Sequence, residues 1–218
     1  VLRLNVVVFF GFGMPAQPLG WFKNEITDAA QLNGLKYRTV GLAADLFQAM
    51  GCSVAQLPGG EIVPAMERGV IDAFEFNNPT SDRRFGAQDV AKIYMMGSHH
   101  QAMEFFEIMF NKGKFDALAK EQQAILQYAA EAASSANEWK AYDYYSTDLQ
   151  ELINKDKVQV KRTPKDVLDF QIKTWDQLVA KLAEDAYTKK VMDSQKEWAK
   201  RVGFYHFFNE TDYRGAYE

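Results

Sequence analysis

Apolar and polar positions change rhythm several times along the chain. The opening VLRLNVVVFF is a continuous β-branched and aromatic run ended by Gly11 and Gly13, the pattern of a strand buried on both faces of a parallel sheet. It has about half of the roughly 20 residues that a membrane span needs, and it lacks the basic region and small-residue cleavage site of a signal peptide. From Leu35 to Phe76 short apolar runs alternate with short amphipathic ones: LKYRTV, GLAADLFQAMG, CSVAQLP, GGEIVPAMERG and VIDAFEF. That order predicts strand, helix, strand, helix, strand, with Gly51 and Gly69 as left-handed closing residues of the two helices. Short strands joined by single helices imply right-handed crossovers and a parallel sheet covered on both faces.

Beyond Phe76 the turn-rich NNPTSD leads into an expected helix over Ser81 to Lys92, and MEFFEIMFN reads as a strand. A long helical pattern then runs from about Phe115 to Asn154, with Leu118, Ile125, Leu126, Ala129, Ala133, Trp139, Leu149 and Leu152 forming its apolar stripe. KVQVKR alternates like a half-exposed strand. In the following TPKD, Thr163 is placed to cap a helix, Pro164 to open it and Asp166 to complement its dipole. A last pair of helices is expected to about Arg201, and the closing GFYHFFNETDYRGAYE carries no assignment. There is no repeat, low-complexity tract or flexible linker.

Composition narrows the class. With 218 residues, 47% of them hydrophobic and 25% charged, the chain can bury a sizeable core as one or two domains. A net charge of -4 offers no basic stripe, so nucleic acid is not the expected partner and an anionic ligand must be held by local charges. The single cysteine, Cys52, lies among apolar neighbours and reads as a small buried hydrophobe. His99 and His100 are adjacent, so in an extended segment they face opposite ways and do not grip one metal together. No zinc-protease helix, nucleophile elbow or nucleotide loop is present, and the expectation is a protein that is not an enzyme. The rival is a small hydrolase or lyase using Glu75 and His99 as acid and base; a further alternative is a helical adaptor recognising proteins through Trp139 to Tyr145.

In an open parallel sheet, ligands collect beyond the carboxyl ends of the strands. Three such ends converge here: the first near Arg38, the second at Gly59 and Gly60 before a helix start, and the third at Glu75 and Phe76. The planar guanidinium of Arg38 matches a carboxylate with two parallel bonds, against the plain alternative of a surface arginine beside Lys36. Glu75 carries a carboxylate among apolar neighbours and needs a partner, either Arg38 itself or a bound cation bridging it to a ligand.

The runs AQPLGWFKNEI, LNGLKYRTVG, LPGGEIVPAMERGVIDAFEF and SDRRFGAQDVAKIYMMGSHH resemble, in order and spacing, the solute-binding subunits of tripartite ATP-independent periplasmic (TRAP) transporters. The branch that binds 2-oxo and 2-hydroxy monocarboxylates with a metal ion is the most similar. The resemblance implies an α/β, periplasmic-binding-protein-like fold of two lobes with a parallel sheet and a long crossing helix. It implies a periplasmic setting, a small carboxylate as ligand and the transporter's membrane subunits as partners, with a homodimer left open. It gives Arg38 as the carboxylate clamp, with Glu75 and Phe76 also at the ligand, and it gives Gln17, Glu75 and the Phe76 carbonyl as holders of a sodium, calcium or magnesium ion, with no organic cofactor. The branch usually has tryptophan where Phe76 stands, and a GWH motif where this chain has Gly97, Ser98 and His99, so pocket shape is expected to differ. Family members also carry well over a hundred residues before the position of Val1. The expected division is therefore a strand of an incomplete first lobe over residues 1–11 and a second α/β lobe over 12–76. A crossing segment over 77–114, which also supplies part of the first lobe, and long helices over 115–218 packing on both lobes complete it.

Overall fold

The computed structural model describes residues 4–209, in two compact units divided between Ile172 and Lys173. The first unit is built on a six-stranded sheet. Its strands are β2 (Gly20–Phe22), β3 (Lys36–Arg38), β4 (Ser53–Ala55), β5 (Ala73–Phe74), β6 (Ile93–Met96) and β8 (Gln159–Arg162), in the order β4-β3-β5-β2-β6-β8. Helices α1 (Leu42–Ala49) and α2 (Gly59–Glu67) connect β3, β4 and β5, which are parallel as their alternation predicts. Gly51 and Gly69 both adopt the left-handed backbone expected of them, with φ of 95° and 72°.

The sheet as a whole is mixed, because β2 lies between β5 and β6 and runs antiparallel to both. Three residues, GWF, are too short to show a period, so this strand has no sequence signature. Its fit depends on Gly20, which has φ 126° and whose Cβ, if it had one, would stand 2.2 Å from the Phe74 carbonyl oxygen. Only glycine tolerates both conditions. Trp21 follows and is fully buried with Phe74, Tyr94, Ile62, Ile71 and Leu152 in the core beneath the sheet; each such side chain contributes about 1.5–3 kcal/mol on leaving water.

The first apolar run behaves differently from its prediction. It forms β1 (Val6–Met14), which pairs antiparallel with β7 (Glu104–Asn111) in a separate two-stranded ribbon, with an irregularity between Phe10 and Phe12. Burial alternates along both strands. One face packs toward the long helix α6 (Lys120–Asn154), while Val6, Val8, Phe10, Phe105 and Met109 on the other remain exposed among the described residues. Both faces are apolar, so the sequence reads as a doubly buried parallel strand although only one face is covered.

The expected helix over Ser81 to Lys92 is two short ones, α3 (Pro79–Arg84) and α4 (Ala87–Val90), broken at the left-handed Gly86. The long helical pattern is likewise divided into α5 (Lys112–Asp116) and α6. The buried residues of α6 are Ala130, Ser134, Ala141 and Leu152, whereas Ile125 and Trp139 of the expected stripe are 66% and 74% exposed. Small residues prevail because the ribbon lies close: the Ser134 hydroxyl donates to the Phe10 carbonyl at 2.8 Å. At its other end α6 is tied to α3 by Arg83, whose guanidinium reaches Asp148, Glu151 and, beyond the helix, Asp156.

Thr163 does not cap α7 (Lys165–Leu182); its hydroxyl donates to the Met96 carbonyl at 3.2 Å. The final helix α8 (Ala186–Asn209) runs past Arg201 and has no buried residue. The rest of the unassigned closing stretch, from 210 on, lies outside the described residues. No described helix is long and apolar enough to cross a membrane.

Candidate functional site

The parallel register of β3 and β5 sets Arg38 beside Phe74, and the Glu75 amide donates to the Arg38 carbonyl at 3.1 Å. The two side chains therefore leave the same edge of the sheet and meet. Arg38 Nη1 donates to Glu75 Oε1 at 3.1 Å and to the Glu75 carbonyl at 2.7 Å, and Nε donates to the Leu57 carbonyl at 2.9 Å. Among the described residues Nη2 has no hydrogen-bond partner. Arg38 is 5% exposed and Glu75 4%, which removes the plain alternative of a surface arginine.

Burial pushes the Glu75 carboxyl up to about 7, against the pull of Arg38. Burial also lowers the Arg38 guanidinium, against the field of Glu75. Such a pair offsets only part of its own desolvation, and further charge or hydrogen bonding at the site is favourable. The adjacent Thr39 hydroxyl is fully buried with no partner of normal geometry. Phe76 completes this edge: its ring packs against Phe85 and stands 5.9 Å from the Arg38 guanidinium carbon. A Cβ on Gly59 would come within 2.8 Å of that ring, so a larger residue at the start of α2 would displace Phe76. The structure thus brings Arg38, Gly59, Glu75 and Phe76 together, as expected of one sheet edge.

Gln17 lies on the approach to β2, the antiparallel neighbour of β5, and is 3% exposed. Its amide is held on both sides. Oε1 lies 3.2 Å from His100 Nε2, and Nε2 donates to Glu104 Oε2 at 3.4 Å. His100 Nδ1 lies 2.7 Å from the Ser98 hydroxyl, which also accepts from Gln171 Nε2 at 2.9 Å. Burial lowers His100 to about 4, so the ring is neutral; giving the Ser98 proton to the shorter bond makes Nε2–H the donor to Gln17. No direct bond joins Gln17 to Glu75.

Two features escape sequence reading. The buried histidine of the pair is His100, while His99 is exposed. Asp82, 1% exposed, accepts from Trp21 Nε1 at 2.9 Å, Tyr94 Oη at 3.1 Å and the amides of Asn77 and Asn78 at 3.1 and 3.2 Å. Burial raises its carboxyl to about 6, and these donors hold it back. A signal existed in the sequence, an acid four residues into a helix begun by Asn78-Pro79, but its partners are remote. Next to Gln17 and Asn78 opens a cavity of about 220 Å³ lined by Ala16, Pro18, Asn78, Met96, Tyr145 and Leu149 among others. Among the described residues no three His, Cys, Asp or Glu side chains form a metal cluster; the donors on hand are an amide oxygen, a carboxylate and backbone carbonyls.

The pattern of the bacterial extracellular solute-binding protein family 7 matches residues 13–189. The chain belongs to this family. The family 7 chain is 29% identical over 97% of its length to the monocarboxylate 2-oxoacid-binding periplasmic protein of Nostoc sp., of which it covers 58%. It is similar to the TRAP periplasmic solute-binding protein of Colwellia psychrerythraea, solved with calcium and pyruvate (28% identity, TM-score 0.87, 94% of this chain and 63% of that one). The protein of Pseudoalteromonas atlantica, solved with sodium and pyruvate, matches equally in identity and coverage with a TM-score of 0.86. That of Bordetella bronchiseptica, a dimer with calcium and picolinate, has 27% identity and a TM-score of 0.78 over 93% of this chain and 64% of that one. The chain thus spans about three fifths of the length of these relatives. Members of family 7 are extracellular solute-binding proteins rather than enzymes.

Proposed function

We propose that this chain forms the anion-gripping part of a periplasmic protein that binds a small 2-oxo or 2-hydroxy carboxylate and hands it to the membrane subunits of a TRAP transporter. Arg38 holds the ligand carboxylate, beside Glu75 and Phe76. A sodium, calcium or magnesium ion sits between ligand and protein, held by Gln17 Oε1, Glu75 and the Phe76 carbonyl. The observation that carries the reading is Arg38: a buried guanidinium, fixed by Leu57 and Glu75 at the carboxyl edge of the sheet, with Nη2 left to bond a ligand.

The donor set fits such an ion. Gln17 and Glu75 are buried, stand at the ends of neighbouring strands and offer only oxygen, which suits a hard cation and excludes a thiolate-loving one. Charge balance gives the physical motive. An anion set beside Glu75 alone is repelled, whereas guanidinium, carboxylate, a monovalent cation and the ligand anion sum to zero. Relatives solved with pyruvate together with calcium or sodium support the same pairing.

The division into lobes belongs to this proposal, with 12–76 as the α/β lobe that bears Arg38 and Glu75. So does pairing of two copies, supported by an α8 that leaves Trp198, Phe204 and Phe207 exposed and by the dimeric Bordetella relative. Calorimetric titration with pyruvate tests the ligand reading: heat is expected with calcium or sodium present and is lost with chelator in a sodium-free buffer. Binding that ignores every cation sinks the bridge and leaves Arg38 as a plain clamp.

A further inference from the structure

We propose that Asp82 is a positioning residue that aims the Phe76 carbonyl at the cation, an inference that rests on the cation-bridged reading above. The carboxylate of Asp82 divides its work between two parts of the fold. Oδ2 accepts from Trp21 Nε1 and Tyr94 Oη in the core, and Oδ1 accepts the amides of Asn77 and Asn78. The Asn77 amide belongs to the same peptide plane as the Phe76 carbonyl. In a trans peptide the N–H and C=O of one plane point in opposite directions, and no cis peptide is present. Turning the Asn77 N–H toward Asp82 therefore turns the Phe76 oxygen away from the core.

The clamp is reciprocal. Asn78 caps α3, its Oδ1 accepting from the Ser81 amide at 3.0 Å, while Asp82 on the same helix reaches back to the Asn78 amide. Loop and helix thus fix one another, and Trp21 ties both to β2, the strand that Gln17 precedes by three residues. One buried carboxylate connects the segments bearing Gln17, Glu75 and Phe76 without touching the ion. Groups that orient metal ligands from outside in this way typically set about tenfold to a hundredfold of the affinity.

Terbium is the probe, a hard ion that takes oxygen donors and luminesces when nearby aromatic rings are excited. Its titration midpoint and the thermal midpoint are measured for the wild type, Asp82→Ala, Asn78→Ala, Asn78→Ser and Tyr94→Phe. Asp82→Ala is expected to raise the terbium midpoint about tenfold or more. Asn78→Ala is expected to raise it as well, and Asn78→Ser, which restores a cap, to return it to within threefold of wild type. Tyr94→Phe removes a core bond from Asp82 but leaves the loop clamped, so it lowers the thermal midpoint and leaves terbium binding alone. A folded Asp82→Ala with wild-type terbium affinity overturns the assignment, as does Tyr94→Phe shifting the midpoint equally. If Asp82→Ala does not fold, the Asn78 pair decides, and an unmoved Asn78→Ala overturns it. A wild type that takes up no terbium removes the cation site itself and the Asp82 role with it.

Discussion

Replacing Arg38 with lysine keeps one positive charge at the sheet edge and removes the fork. The guanidinium makes three bonds within the protein, to the Leu57 carbonyl and to both the carbonyl and carboxylate of Glu75. An ammonium group at the end of a straight stem can keep Glu75 or reach a ligand, but it cannot hold Leu57, Glu75 and a two-pronged carboxylate at once. Hydrogen bonds to charged groups contribute about 1.5–3 kcal/mol each. Losing one toward the ligand corresponds to roughly 2 kcal/mol, a fall in affinity of about thirtyfold. Losing the bond to Leu57 lowers stability by about 1.5 kcal/mol, or roughly 3–6 °C in Tm for a chain of this size. Calorimetry with pyruvate at saturating calcium reads the first effect and a thermal scan the second. A folded Arg38→Lys protein that binds within threefold of wild type refutes the argument, since charge alone would then suffice.

Glu75→Gln should weaken calcium binding at least about tenfold while Arg38 retains an acceptor, so chelator titration moves further than the unfolding midpoint. Gly20→Ala places a Cβ 2.2 Å from the Phe74 carbonyl oxygen at φ 126° and should destabilise by more than about 3 kcal/mol, seen as a drop in Tm by circular dichroism; a shift below 2 °C contradicts the close approach of β2 to β5. Asp82 and Glu75 are both raised by burial, from 3.8 to about 6 and from 4.5 to about 7, so the folded state holds protons that the unfolded state has released. Their joint contribution to stability is greatest below about pH 4 and falls as pH rises through about 6 to 7, with Asp82 alone accounting for on the order of 3 kcal/mol. Urea midpoints of Asp82→Asn should show a shallower decline over this window than wild type, and an unchanged slope contradicts the assignment.

The stretch from Leu35 to Phe76 was readable because each of its elements is specified locally. Gly51 and Gly69 end their helices, and parallel strands with one intervening helix can assemble in few ways. Arg38, Glu75 and Gly59 were brought to one edge by that logic alone. What the sequence hid depends on partners far along the chain. β2 has three residues and owes its place to neighbours at Phe74 and Tyr94. The β1 ribbon has two apolar faces and only one covered, so alternation was invisible. The α6 stripe holds at Leu149 and Leu152 but not at Ile125 and Trp139, because close packing on β1 selects Ala130 and Ser134 over large apolar residues. His100 and His99 are alike in sequence, and only the fold sends one inward.

Arg83 gives α6 a mechanical character. Asp148 and Glu151 bolt α3 to the last turns of a helix of 35 residues, about 52 Å long at 1.5 Å per residue, and Asp156 holds it to the turn beyond. The opposite half of that rod lies along β1. Through Asp82 the same α3 grips the loop that follows Glu75 and Phe76. The site is thus joined to one end of a rod whose middle is bonded to a different sheet about 25 Å away, a span over which a tilt of about 5° corresponds to about 2 Å.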